Sequence, residues 1–125
     1  MKKAEVELFI KVQVQMEEMY KEISLLSKKS QNDALNEFKL QFVNKLLEEC
    51  NTLLGKKYKP FADFNIFSMD KIPTNSDVVM VLSQYLASLE NMRSDNIQYD
   101  MIKGWRWLIN DNMSDIKTNG PKKDY

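Results

Sequence analysis

A mostly α-helical single domain, a small helical bundle built on an antiparallel helical hairpin, is the fold class that three features of this sequence predict. Apolar residues recur at spacings of three and four in long segments, clear stop and start signals separate those segments, and 125 residues suffice for one core. A short C-terminal β-hairpin is the alternative to a last stretch of helix. Residues 1–118 are assigned to the domain and 119–125 to a flexible tail.

The first helix is expected over about residues 3 to 29, where Phe9, Val12, Met16, Met19, Ile23 and Leu26 fall on one face. A strand competes over residues 4–15, because Ala4, Val6, Leu8, Ile10, Val12, Val14 and Met16 also alternate with mostly polar neighbours. The helix is preferred because the three-four pattern runs on into Met19 to Leu26, where alternation fails. Val6, Ile10 and Val14 then form a second apolar line that needs a second neighbour, and a contact with another subunit is assigned to them.

After a polar break at residues 30–33, which offers Ser30 or Asn32 as a cap, Leu35, Phe38, Phe42, Leu46, Cys50 and Leu53 make the next stripe, closed by Gly55. Lys56, Lys57 and Lys59 follow, where the negative pole of the helix dipole favours cations. The segment from Pro60 to Pro73 holds Phe61, Phe64 and Phe67 without helical spacing and reads as a lid over the core. A small-ligand pocket lined by Phe64 and Phe67 is its alternative.

Pro73 to Asp77 is a strong helix start with Thr74 as cap. Val78, Leu82, Tyr85, Leu86, Leu89 and Met92 give this third helix its buried face. Ser94 and Asp95 are read as restarting a shorter helix through Ile97, Met101 and Ile102, ended by Lys103 and Gly104. Beyond it, Trp105, Trp107 and Ile109 alternate with Arg106 and Leu108 before the turn residues Asn110, Asp111 and Asn112. A hairpin with Ile116 and Thr118 on its return arm competes there with a continued helix.

The composition narrows the chemistry. With no histidine, one cysteine, three glycines and no phosphate-loop motif, the chain is expected to be non-enzymatic, without cofactor or metal. Cys50 cannot form an intramolecular disulfide or complete a zinc site alone and is read as a small buried hydrophobe. The acidic residues Glu17, Glu18 and Glu22 read as a solvated helix face. The longest uncharged stretch, Val78 to Leu89, is too short and polar to span a bilayer, and Glu5 and Glu7 interrupt any signal-peptide core. A cytoplasmic protein that does not engage membranes is the expectation.

The preferred function is therefore a protein-binding or self-associating module, of the kind a small regulator or inhibitor would be. Its partner-binding residues are taken as Trp105, Arg106 and Trp107 with Tyr99, since Trp and Arg dominate interface energetics. Nucleic-acid binding is the alternative, through Lys56, Lys57, Lys59, Lys122 and Lys123 with exposed aromatic rings. It is not favoured, because 18 basic and 18 acidic side chains balance.

Overall fold

The three-four spacing of Val6, Phe9, Val12 and Met16 prevails over the alternation in the same residues, and the first element is a long helix, α1 (Lys3–Ser30). These four residues and Ile23 are fully buried, whereas Met19 and Leu26 are only partly covered. Val6 thus belongs to the core and not to an outward-facing line, a correction to the subunit-contact assignment. Ile10 and Val14 do face outward. The computed structural model describes residues 1–122.

Neither Ser30 nor Asn32 caps α2 (Glu37–Tyr58). Asn36 does, its side-chain oxygen accepting the Phe38 and Lys39 amides at 2.8 and 3.2 Å. Gly55 interrupts the helix with φ 61°, a left-handed conformation that glycine adopts without penalty, leaving one further turn to Tyr58. Leu35, Leu46, Cys50 and Leu53 of the expected stripe are buried, but its two phenylalanines are not, and a second line completes the buried face of α2. Leu40, Val43, Leu47, Cys50 and Leu54 repeat at the same three-four spacing and are buried, while Phe38 and Phe42 are exposed.

The Phe-rich connection 59–74 lies against α2, held by two of its asparagines. Asn44 donates to the Phe67 carbonyl and accepts the Phe67 amide, both at 2.9 Å, and Asn51 donates to the Asn65 carbonyl at 2.9 Å. Phe61, Phe64 and Phe67 are half-buried against the core in a chain of edge-on ring contacts, as a lid requires. The third helix, α3 (Asn75–Ser94), starts where the sequence marks it, with the Thr74 hydroxyl accepting the Asp77 amide at 3.2 Å. It packs extensively on α1 and also touches α2.

The expected short helix after α3 is a strand instead. The Asn96 side chain donates to the Met92 carbonyl at 2.7 Å, satisfying the end of α3, and the chain leaves it extended. Three antiparallel strands follow in the order β1 (Ile97–Asp100), β2 (Gly104–Ile109), β3 (Asn112–Lys117). Pairing of Ile97 with Trp107 buries both against the helices, whereas Met101 and Ile102, the rest of the expected helical stripe, are left exposed. Asn110 and Asp111, at φ 51° and 66°, make the two-residue turn between β2 and β3 with the twist that antiparallel strands need. The fold is mostly helical with a small C-terminal antiparallel sheet, and buried residues of all three helices join Ile97 and Trp107 in one core cluster.

Candidate functional site

Between α1 and α2 lies an open groove of about 920 Å³. Its apolar surface comes from Val14 and Leu25 of α1 and Phe42 of α2, all exposed, with Met19, Leu26 and Leu46 more deeply set. Phe38, 66% exposed, extends this surface along α2 by an edge-on contact with Phe42 at 5.0 Å between ring centroids. The same groove is lined by Lys11, Lys21 and Lys45 and by Glu18, Glu22 and Glu49, with Lys39 joined to Glu22 at 2.9 Å. Isolated exposed apolar residues need no explanation; here several aromatic and aliphatic side chains line one groove inside a charged border.

A second apolar feature stands at the turn between β1 and β2. Met101 and Ile102 are 91% and 95% exposed, the most exposed large apolar side chains among the described residues. Their turn is tightly built. The Asp100 carboxylate accepts the amides of Ile102 and Lys103, each at 2.8 Å, and Gly104 closes the turn at φ 75°. Those two amides, Ile102 after Lys103, hold the Asp100 carboxyl below its ordinary value. Tyr99 and Trp105, paired across the strands, pack ring against ring at 5.5 Å.

A third feature is a buried ion pair on α3 that fastens the residues after the sheet. Arg93 meets Glu90 through two parallel bonds, Nε to Oε1 and a terminal nitrogen to Oε2, both at 2.8 Å. Its remaining donors reach the Thr118 hydroxyl at 2.8 Å and the Asn119 and Gly120 carbonyls at 2.7 Å. All five guanidinium N–H groups are thereby matched to five acceptors. Glu90 also accepts the Lys122 amide at 2.7 Å. Burial pushes the Glu90 carboxyl up, but its bonds to Arg93 and to the Lys122 amide outweigh this and hold it below the usual carboxylate value.

Residues 119–122 are consequently fastened to α3, which corrects the expectation of a flexible tail for that stretch. Lys123, Asp124 and Tyr125, the rest of that segment, lie outside the described residues. Gly120 lies flat against Trp105, and a Cβ there would sit 2.9 Å from the indole Nε1. Gly120→Ala is therefore expected to loosen this strap, lowering stability by about 1–3 kcal/mol through overpacking and exposing Trp105 to water. Urea unfolding and the tryptophan emission maximum read the two effects.

The expected partner-binding cluster is divided by the pleat of the sheet. Trp107 is 1% exposed and stands edge-on to Phe9 of α1 at 5.0 Å, so it is core and cannot anchor a partner from the surface. Trp105 is half-buried under Gly120, Tyr99 is exposed beside it, and half-buried Arg106 lies on the opposite face, in register with Gln98 and Lys117. Three of the candidate lysines stand together at the end of α2, and Lys122 stands beside α1. Lys57 lies over the Tyr58 ring, Lys59 donates to the Asn65 side chain, and the Lys122 ammonium is 3.8 Å from Glu17 of α1. Lys56 shares the end of α2 with the first two.

Cys50 is buried, and burial together with the neighbouring Glu49 charge pushes its thiol up to about 12, which leaves it protonated and unreactive at neutral pH. A shallow pocket of about 530 Å³ adjoins Phe61, Phe64 and Met80, with Asp63 the one ionisable group lining it. No helix is long and apolar enough to cross a membrane, and no three metal-ligating side chains converge, both among the described residues.

Sequence reasoning assigned Phe42 to the core and Met101 and Ile102 to a helix, and passed over Glu90 and Arg93. One signal was present for the ion pair: Arg93 falls four residues after Leu89 and seven after Leu86, on the buried stripe of α3. The chain matches no protein-family model, no curated protein and no solved structure.

Proposed function

We propose that this chain is a non-enzymatic protein-binding module that associates with a second copy of itself through the groove between α1 and α2. The observation that carries this reading is the exposed apolar surface of Val14, Leu25, Phe38 and Phe42 between two long helices. The border of three lysines and three glutamates, on a chain of zero net charge, complements a partner of equally balanced charge, and a second copy is one. The size is at the low end of what association needs. The unbroken part of α2, from Glu37 to Leu54, is about 27 Å long, and a face two helices wide, roughly 20 Å, offers on the order of 500 Å² before side-chain relief. Stable interfaces bury about 800 Å² per partner.

In this reading α1 and α2 act as an antiparallel hairpin within a helical bundle, and the protein is a small cytoplasmic regulator or inhibitor that uses no cofactor or metal. Binding of nucleic acid by the lysines at the end of α2 is the weaker alternative, because two of those lysines already have partners within the chain. A small ligand beside Phe61 and Phe64 is weaker still, since one carboxylate is all the ionisable chemistry that pocket offers.

Sedimentation velocity over a concentration series tests the proposal. Wild type is expected to form a larger species as concentration rises. The double variant Val14→Glu, Phe42→Glu is expected to remain monomeric with an unchanged circular dichroism spectrum, because both side chains are exposed. A wild-type protein that stays monomeric throughout refutes the proposal, and association that collapses steeply with added salt in the presence of nucleic acid points to the alternative.

A further inference from the structure

The strap over Trp105 carries the one Asn-Gly pair in the sequence, Asn119–Gly120. We infer that this pair is a site of self-modification, held in check by Arg93, and that its conversion to isoaspartate releases the strap from Trp105. The reaction needs a free side chain, an unencumbered nitrogen and a backbone able to turn. The Asn119 side chain is exposed, and neither its carboxamide nor the Gly120 amide has a hydrogen-bond partner among the described residues. Glycine, lacking a Cβ, sets no bulk beside its nitrogen. Arg93 withholds the remaining need. Its guanidinium grips the Asn119 and Gly120 carbonyls, both at 2.7 Å. The Asn119 carbonyl shares a rigid peptide plane with the Gly120 nitrogen, so holding one keeps the other from swinging onto Asn119 Cγ.

When the strap opens, the Gly120 amide gives its proton to water and its nitrogen bonds to Asn119 Cγ. The side-chain nitrogen takes up a proton and leaves as ammonia, closing a succinimide. Water then opens the ring. Attack at the former side-chain carbonyl gives aspartate, and attack at the former main-chain carbonyl gives isoaspartate, whose backbone runs through Cβ and is longer by about 1.5 Å. The carbonyl that Arg93 held becomes a pendant carboxylate, and everything after it is displaced. The Arg93 bond to Gly120, the flat contact on Trp105 and the contacts of Lys122 with Glu90 and Glu17 then cannot be kept together. No side chain of residues 118–122 is buried, so these contacts are most of what holds the strap, and their loss bares Trp105 beside exposed Tyr99.

Peptide mapping by mass spectrometry during incubation at neutral pH tests the inference, with an isoaspartate-specific methyltransferase to separate the two products. The free peptide of residues 117–122 is expected to convert fastest, and the wild-type chain at least about tenfold more slowly, because its rate is scaled by the fraction of time the strap is open. Arg93→Lys keeps a cation beside Glu90 but loses the planar fork, and is expected to approach the peptide rate with a native circular dichroism spectrum. Should that variant unfold, urea below the unfolding transition decides: the wild-type rate is expected to stay nearly flat, since strap opening exposes little surface. The isoaspartate form, separated by its added negative charge, is expected to show stronger acrylamide quenching of Trp105. Asn119→Asp, which adds the charge without lengthening the backbone, is expected to match the unconverted chain. Wild type converting as fast as the peptide, or not at all while the peptide converts, overturns the inference. So does a folded Arg93→Lys that converts no faster than wild type, a rate that climbs with urea as global unfolding does, or an isoaspartate form whose Trp105 stays as shielded as before.

Discussion

Arg93→Met is expected to destabilise the fold by about 3–5 kcal/mol, because removing one partner of a buried ion pair leaves the other charge uncompensated. Methionine keeps much of the side-chain length, so the loss falls on the guanidinium and not on packing. That group satisfies two oxygens of Glu90 and holds Thr118, Asn119 and Gly120, so its removal also frees the strap that packs on Trp105. Urea unfolding measures the loss. A change under about 1 kcal/mol would place the pair among surface ion pairs of little consequence and dismiss the strap as a structural element.

The same substitution is expected to reverse the pH dependence that Glu90 contributes. In the wild type its folded carboxyl lies below the ordinary value of 4.5, so its contribution to stability is full above that value and is lost as pH falls through the folded pKa. With Arg93 gone, burial becomes the largest remaining influence and raises the carboxyl. The contribution then has the opposite sign: present at low pH and lost as pH rises through the raised folded pKa. Comparing each background with its Glu90→Gln partner isolates this one group. Arg93→Met with Glu90→Gln should also recover part of the stability, since no buried charge is left without its partner.

What the sequence disclosed follows from how local each signal is. The Thr74 cap and the turn at Asn110 and Asp111 are each set by a few adjacent residues and stand where the sequence places them, whereas Gly55, expected to close α2, only interrupts it before a last turn to Tyr58. The face of α2 is another matter. Phe38 and Phe42 stand at helical spacing with buried Leu46 just as Leu40, Val43 and Leu47 do with one another, and which of these side chains are covered depends on where α1 and α3 lie. Strand β1 has no period of its own in four residues; pairing with Trp105 and Trp107 makes it a strand. The groove was illegible for the first reason and the hairpin tip for the second. Arg93 could be flagged from its place on an apolar stripe, but three of its acceptors come from the strap, two of them backbone carbonyls that no side chain announces.

Trp107→Ala is expected to cost about 3–5 kcal/mol, the range for truncating a large core aromatic, and to leave self-association unchanged under conditions where the variant is still folded. The indole is enclosed by Phe9 of α1 on one side and by Ile97 across the strand, so its loss opens a cavity where the sheet meets the helices. Trp107→Phe is expected to cost less, because a smaller ring keeps part of the contact. A double-mutant cycle with Phe9→Leu should show a coupling of about 0.5–1.5 kcal/mol for the edge-on pair. These numbers separate two roles for a tryptophan that composition alone treats as equal. An interface anchor would leave stability untouched and weaken association; a core residue does the reverse. If Trp107→Ala proved as stable as wild type and failed to associate, the interface would have to lie on the helix-facing side of the sheet, and the groove between α1 and α2 would lose its claim to be the binding surface.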